Sequence, residues 1–270
     1  MHLKRWITAV VALPFLILLI LKGGPLTFAV FICIVCTLAF WEYHRIVFDK
    51  SEGAAAFGFQ LSAYITGPLI ILSAYLNSFR FILILLSINF IFSALVTLVR
   101  FKSDARTTEK MTKQIAGIIY IALSLSLLVL IRNGTDGIIW IFFLLIVVFA
   151  GDIGAYYAGT TLGRHKLCPS VSPGKTIEGS IGGLAANIGA GALFMHFFLP
   201  SLPWGAGIVF FLAAGAAGQA GDLFESTLKR AGDIKDSGGI LPGHGGILDR
   251  IDALLFATPV AYLFKEFILK

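Results

Sequence analysis

The chain is a succession of long apolar runs separated by short polar segments. The runs cover residues 6–21, 26–41, 58–76, 81–99, 115–131, 138–157, 181–199, 205–223 and 252–269. They are continuous, as in Ile115–Ile131, and do not alternate. A membrane β-barrel alternates apolar and polar positions in segments of about 10 residues, whereas a spanning helix needs about 20 mostly apolar ones. The pattern predicts an all-α polytopic membrane protein with about nine transmembrane helices. The first run, behind Lys4 and Arg5, resembles a signal peptide. No small-x-small cleavage site follows it, and Lys22-Gly-Gly-Pro25 reads as a turn, so a retained first span is expected.

Composition agrees with the pattern. The chain is 57% hydrophobic and 13% charged, against about 25% charged residues in soluble domains. Charge placement adds orientation. Of the 21 Lys and Arg residues, 16 fall in the N-terminus and the loops after spans two, four, six and eight. Cytoplasmic loops carry such an excess. The N-terminus and these loops are therefore expected on the cytoplasmic side of the inner membrane. The net charge of +6 is largely this topology signal, and no nucleic-acid partner is needed to explain it. Cys33 and Cys36 lie on one face of an apolar run and read as small packing residues.

The two parts of the chain differ. Residues 151–270 hold 21 of the 29 glycines, while 1–150 are dominated by Leu, Ile, Val and Phe. Residues 1–150 are expected to form a five-span scaffold without an ionisable residue deep in an apolar run. Residues 151–270 are expected to form a catalytic region of four spans with two cytoplasmic active-site loops.

The chemistry concentrates in that second part. Asp152 and Asp222 sit at the ends of spans six and eight, and a carboxylate at the membrane edge marks a functional site by default. The loop after span eight, Ser226 to Asp252, combines glycines with Lys229, Arg230, Lys235 and Arg250 and with Asp233, Asp236, Asp249 and Asp252. Carboxylates that hold a hard cation such as Mg²⁺, amongst cations and backbone N–H groups, suit a polyphosphate. Helical spacing puts Asp222, Glu225, Ser226 and Lys229 on one face, and Asp249 and Asp252 on another. A fold-back of the loop would place Asp222 and Asp249 on one cation. In the loop after span six, Gly174-Lys175-Thr176 resembles the end of a P-loop, but the earlier glycine is missing and no strand is expected before it. Lys175 and Thr176 near a helix start are natural phosphate contacts. No nucleophile–base pair is evident, and His244 among glycines reads as a phosphate donor.

The segment from Ser226 through Leu-Lys-Arg, Lys235-Asp, Leu-Pro and His244-Gly-Gly to Asp249-Arg-Ile-Asp252 resembles the signature of CDP-diacylglycerol synthases. Gly151-Asp, Gly163-Arg-His-Lys-Leu167 and Ser172-Pro-x-Lys-Thr-x-Glu-Gly179 are similar to that family as well, with departures at Gly174 and Ile177. The resemblance implies CTP and phosphatidate as substrates, CDP-diacylglycerol and pyrophosphate as products, and Mg²⁺ dependence at the cytoplasmic face. It implies Asp222, Asp249, Lys229 and Arg250 in catalysis. Asp222 and Asp249 would be metal ligands, with Asp152 a further candidate. Substrate contacts would fall to Ser172, Lys175, Thr176, Glu178, Ser226, Arg230, Lys235, Asp236, His244, Gly245, Gly246 and Asp252. A second cation and a homodimer are left open by the residues. The rival readings are a CTP-dependent lipid kinase and a secondary transporter; clustering of charge on one membrane side and the lack of an inverted repeat count against the transporter.

Overall fold

The computed structural model describes residues 2–48, 53–240 and 245–268, with side chains for all of these except 2–9, 11 and 53–55. His244 lies outside the described residues. The order of elements is α1 (His2–Lys22), α2 (Gly24–Val47), α3 (Gly53–Tyr75), α4 (Phe79–Arg100) and α5 (Thr107–Gly117). A π-helical turn, Ile118–Leu123, carries α5 into α6 (Ser124–Asn133). Then come α7 (Gly137–Leu162), β1 (Lys166–Cys168), β2 (Ser172–Thr176), α8 (Ile177–Phe198), α9 (Trp204–Ala231) and α10 (Leu248–Leu263). The protein is an all-α polytopic membrane protein, since seven helices among the described residues are long and apolar enough to cross a bilayer. Every expected span has a helix. The two outside the seven are the first, whose described apolar stretch is Ala12–Lys22, and α10.

Local chemistry sets the breaks. Gly24 has φ +69° and Pro25 follows it at the start of α2, where a missing N–H costs nothing. Asn77 and Asp136, both at φ 52°, stand between helices in the left-handed region that Asn and Asp tolerate best.

One difference from the expected pattern is the β1–β2 hairpin. Lys166 pairs with Thr176 and Cys168 with Ser172, so Gly174-Lys175-Thr176 lies within a strand that leads into α8. Ser-Pro-Gly-Lys-Thr has no apolar and polar alternation and contains Pro and Gly, so nothing local marks it as a strand, and its pairing is a tertiary fact.

The chain divides into two compact units, residues 1–133 with 231–249, and residues 134–230 with 250–270. This division by packing starts earlier than residue 150 and assigns most of the Gly-rich loop to the first unit. In that unit Phe28, Phe40, Phe59, Ile70, Ile71 and Ile121 are buried. At its centre is an uncharged polar cluster. Gln114 Nε2 donates to Asn89 Oδ1 (2.9 Å) and Ser62 Oγ (3.2 Å). Its Oε1 accepts from Ser93 Oγ (3.1 Å), and Asn89 Nδ2 donates to Thr66 Oγ1 (3.1 Å). Buried polar groups are tolerated in this way because they satisfy each other.

The second unit packs by two means. Trp140, Phe143, Phe210 and Phe264 form an aromatic core, with Phe143 and Phe210 stacked at 5.0 Å. Small residues close the α7–α8 seam: a Cβ on Gly154 would collide with Ala186, and one on Gly182 with Ala158. Glycine lets the backbones approach where lipid supplies no hydrophobic drive.

Candidate functional site

In the second unit a cavity of about 520 Å³ opens beside the C-terminal part of α7, between that helix, β2, the start of α8 and α9. Asp152, Ser172, Lys175, Thr176 and Asp222 all line it, as do Tyr156, Ser180 and Gln219. Lys175 Nζ lies 2.6 Å from Asp222 Oδ2. Asp152 is within electrostatic reach of Asp222, Lys175 and Arg250, and Asp252 within reach of Asp222, Lys229 and Asp152. Residues from three separated segments thus converge on one space of the size that holds a small-molecule ligand.

Several of the expected substrate residues have structural partners in the same unit. Thr176 caps α8, its Oγ1 accepting from Gly179 N at 3.1 Å. Glu178 accepts from the backbone N–H groups of Arg164 and His165 and contacts His165 Nδ1 at 2.6 Å, closing the turn before β1. Arg230 Nε donates to Val171 O (3.2 Å), tying α9 to the hairpin. Helix α9 continues to Ala231, as the one-face spacing predicts, and Lys229 pairs with the buried Glu225 one turn earlier. Ser226 is half-buried and Arg250 exposed. Gln219 and Ser180 were missed by the sequence reading; Gln219 Nε2 donates to Ser180 O at 3.0 Å on the cavity wall. An amide in a small-residue helix is the signal that could have found it.

In the first unit, Lys235 and Asp236 are exposed, and Gly245 takes φ +79°, a conformation that disfavours any side chain. Asp249 opens α10. Its Oδ2 accepts from Gly246 N (2.8 Å), Ser237 Oγ (2.9 Å) and Ser237 N (3.1 Å). These three bonds fix the plane of the carboxylate. The sequence also missed Glu42 of α2, which is fully buried. Glu42 accepts from Leu248 N (2.7 Å), Ile247 N (3.0 Å) and Ser237 Oγ (3.0 Å). Glu42 stands just past the apolar run, five residues before Val47 at the end of α2, and holds the Gly-rich loop. Its signal was a lone carboxylate at the end of an apolar run.

Among the described residues no group of three or more His, Cys, Asp and Glu is assembled to hold a metal ion. The donor chemistry of Asp152 and Asp222, two carboxylates on one cavity, nevertheless fits Mg²⁺, which is bound by one or two carboxylates together with substrate phosphates.

A family model described as the cytidylyltransferase family matches residues 3–268. The chain is 43% identical over 145 residues to a phosphatidate cytidylyltransferase of Bacillus subtilis (strain 168), covering 53% of this chain and 54% of the relative. It is 43% identical over 150 residues to one of Brucella suis biovar 1, covering 55% of each, and 42% identical over 137 residues to one of Haemophilus influenzae, covering 49% and 48%. The chain thus spans about half the length of the curated relatives it matches.

Proposed function

The chain belongs to the cytidylyltransferase family, and on that premise we propose that it is a phosphatidate cytidylyltransferase, making CDP-diacylglycerol and pyrophosphate from CTP and phosphatidate. The observation that carries the reading is the cavity in which Lys175 is paired with Asp222 beside Asp152. A phosphate oxygen of phosphatidate bonds to the α-phosphorus of CTP, and the bond from that phosphorus to the bridging oxygen of the leaving pyrophosphate breaks. The nucleophile is already an anion, so no strong general base is needed. The difficulty is charge, and the residues answer it.

Lys175, on a strand edge at the mouth of α8, can exchange Asp222 for a triphosphate oxygen. The strand that carries it is paired with β1 on either side of Lys175, at Ser172 and Thr176. Lys229 and Arg250 add positive charge, and Asp222 and Asp249 are each proposed as cation ligands, with Asp152 alongside Asp222. A bound Mg²⁺ would neutralise triphosphate charge. Thr176 and Arg230 shape the pocket by holding α8 and the hairpin. The cavity lies at a helix end, which lets acyl chains stay in hydrocarbon while the head group meets nucleotide. The excess of Lys and Arg in the same loops supports the cytoplasmic side of the inner membrane as the active face.

The test is direct. Purified protein given radiolabelled CTP, phosphatidate and Mg²⁺ should yield a lipid-soluble nucleotide and one pyrophosphate per turnover. Release of CDP instead would establish a lipid kinase and overturn the proposal. Tags near Arg106 and in the loop after α9 should report the cytoplasm, and one near Arg132 the opposite side; a common side for Arg106 and Arg132 would overturn the topology.

A further inference from the structure

A fully buried carboxylate has lost its water and needs hydrogen bonds from the protein in its place. Glu42 is at 0% exposure in the C-terminal part of α2. What compensates it is the Gly-rich loop. Ile247 and Leu248 give it their backbone N–H groups, and Ser237 gives its hydroxyl. The loop is also shaped to it: a Cβ on Gly238 or on Gly246 would run into the Glu42 carboxylate. Two glycines that read as phosphate-cradling in the sequence therefore make room for a side chain of α2.

The second observation is the bridge. Ser237 Oγ lies 3.0 Å from Glu42 Oε2 and 2.9 Å from Asp249 Oδ2. A hydroxyl carries one proton and can donate to one carboxylate at a time. The orientation of that proton, and with it the charge density on Asp249, is shared between the two acids. Gly246 joins the same circuit, since its N–H donates to Asp249 while its Cα packs on Glu42 and Ser237.

We propose that Glu42 is a positioning residue for Asp249, acting through Ser237 and the Gly246–Leu248 backbone. The inference rests on the reading in which Asp249 is a cation ligand. Groups that orient a metal ligand from behind are worth about 10- to 100-fold in metal affinity or activity.

The experiment uses the full chain in lipid nanodiscs with two readouts, Mn²⁺ binding by electron paramagnetic resonance and amide hydrogen exchange of peptides covering 245–250. Glu42→Gln keeps the size but replaces an acceptor oxygen with a donor amide. It is expected to weaken Mn²⁺ binding by about 10-fold or more and to speed exchange in that peptide. Where substrates turn over, half-saturating Mg²⁺ should rise by a similar factor while the KM for phosphatidate stays within about twofold. Should Glu42→Gln fail to fold, Ser237→Ala tests the bridge, since it keeps the Glu42–backbone bonds and should weaken Mn²⁺ binding by itself. Because Ser237 carries the effect of Glu42, the double variant should bind Mn²⁺ no worse than Glu42→Gln. Wild-type Mn²⁺ affinity in both single variants, or effects that multiply in the double, would overturn the proposal. A wild-type chain that makes no CDP-diacylglycerol, with Mn²⁺ binding still lowered by Glu42→Gln, would overturn the cytidylyltransferase reading and support the Glu42 assignment.

Discussion

The two compact units treat polarity inside an apolar chain in opposite ways. In the first, the uncharged groups of Ser62, Thr66, Asn89, Ser93 and Gln114 face one another and are answered by hydrogen bonds. In the second, Asp152, Lys175 and Asp222 face a cavity. A polar network sealed by packing is committed to its own partners, whereas a pair that lines an opening, as Lys175 and Asp222 do, can exchange its partner for a ligand. Burial of polar residues is therefore not in itself a sign of function. What separates the two is whether the polar groups are enclosed by packing or open onto a space. The Glu42–Ser237–Asp249 circuit is the intermediate case, a buried network with a proposed ligand at its end.

The largest expected break of this contrast is Asp222→Asn. It is nearly isosteric but removes the charge on which Lys175 and a cation both depend. CDP-diacylglycerol formation should fall at least about 100-fold, the scale of losing one preorganised electrostatic contact, with detergent melting close to wild type. Asp233→Asn is the control and should remain active; Asp233 has φ 54°, where Asn is equally at ease. Equal loss in both variants would remove the distinction between cavity and loop.

Lys175→Ala should come next. If Lys175 meets a triphosphate oxygen, kcat/KM for CTP should drop by about 1–3 kcal/mol, the range for a charge-assisted hydrogen bond. Steady-state kinetics with an unchanged response to CTP would demote the β1–β2 hairpin to a structural role.

Gln114→Ala probes the opposite side of the comparison. It leaves Ser62, Asn89 and Ser93 short of partners inside the first unit, at a cost of about 1–3 kcal/mol in stability. Thermal unfolding should record that loss, while activity per folded molecule should be unchanged. A large fall in turnover without a change in melting would mean that this network belongs to the site.

The smallest effect concerns the loop before α5. Hydrogen bonding from Lys110, at 2.5 Å, and from the Arg106 backbone holds the Asp104 carboxyl below its usual range. A depressed carboxyl stabilises the fold above its unfolded pKa and loses that contribution as pH falls through the folded value. Melting of the wild type should therefore decline more than that of Asp104→Asn between neutral and strongly acid pH. Parallel declines would show that the pair contributes nothing.

Helices, their approximate ends and several residues of the cavity were legible in the sequence, because spanning helices need long apolar runs and ionisable groups in them are rare. Asp152 and Asp222 stood out for that reason and Lys175 for its place before a helix start, and the structure lines one cavity with them. The one-face spacing of Asp222, Glu225 and Lys229 was legible too, since α9 continues in register to Ala231. The partners were not. Nothing in the local sequence distinguishes a glycine that clears space for phosphate from Gly238 and Gly246, which clear it for Glu42, far earlier in the chain. The hairpin was equally hidden, because a strand of 5 residues exists only by virtue of the strand it pairs with. By itself the sequence determined the class, the helices and the residue types available for chemistry, all of which follow from hydropathy and period. Tertiary structure alone decided which carboxylates face an opening and which are held from behind, since that depends on contacts between segments far apart in the chain, where no local pattern reaches.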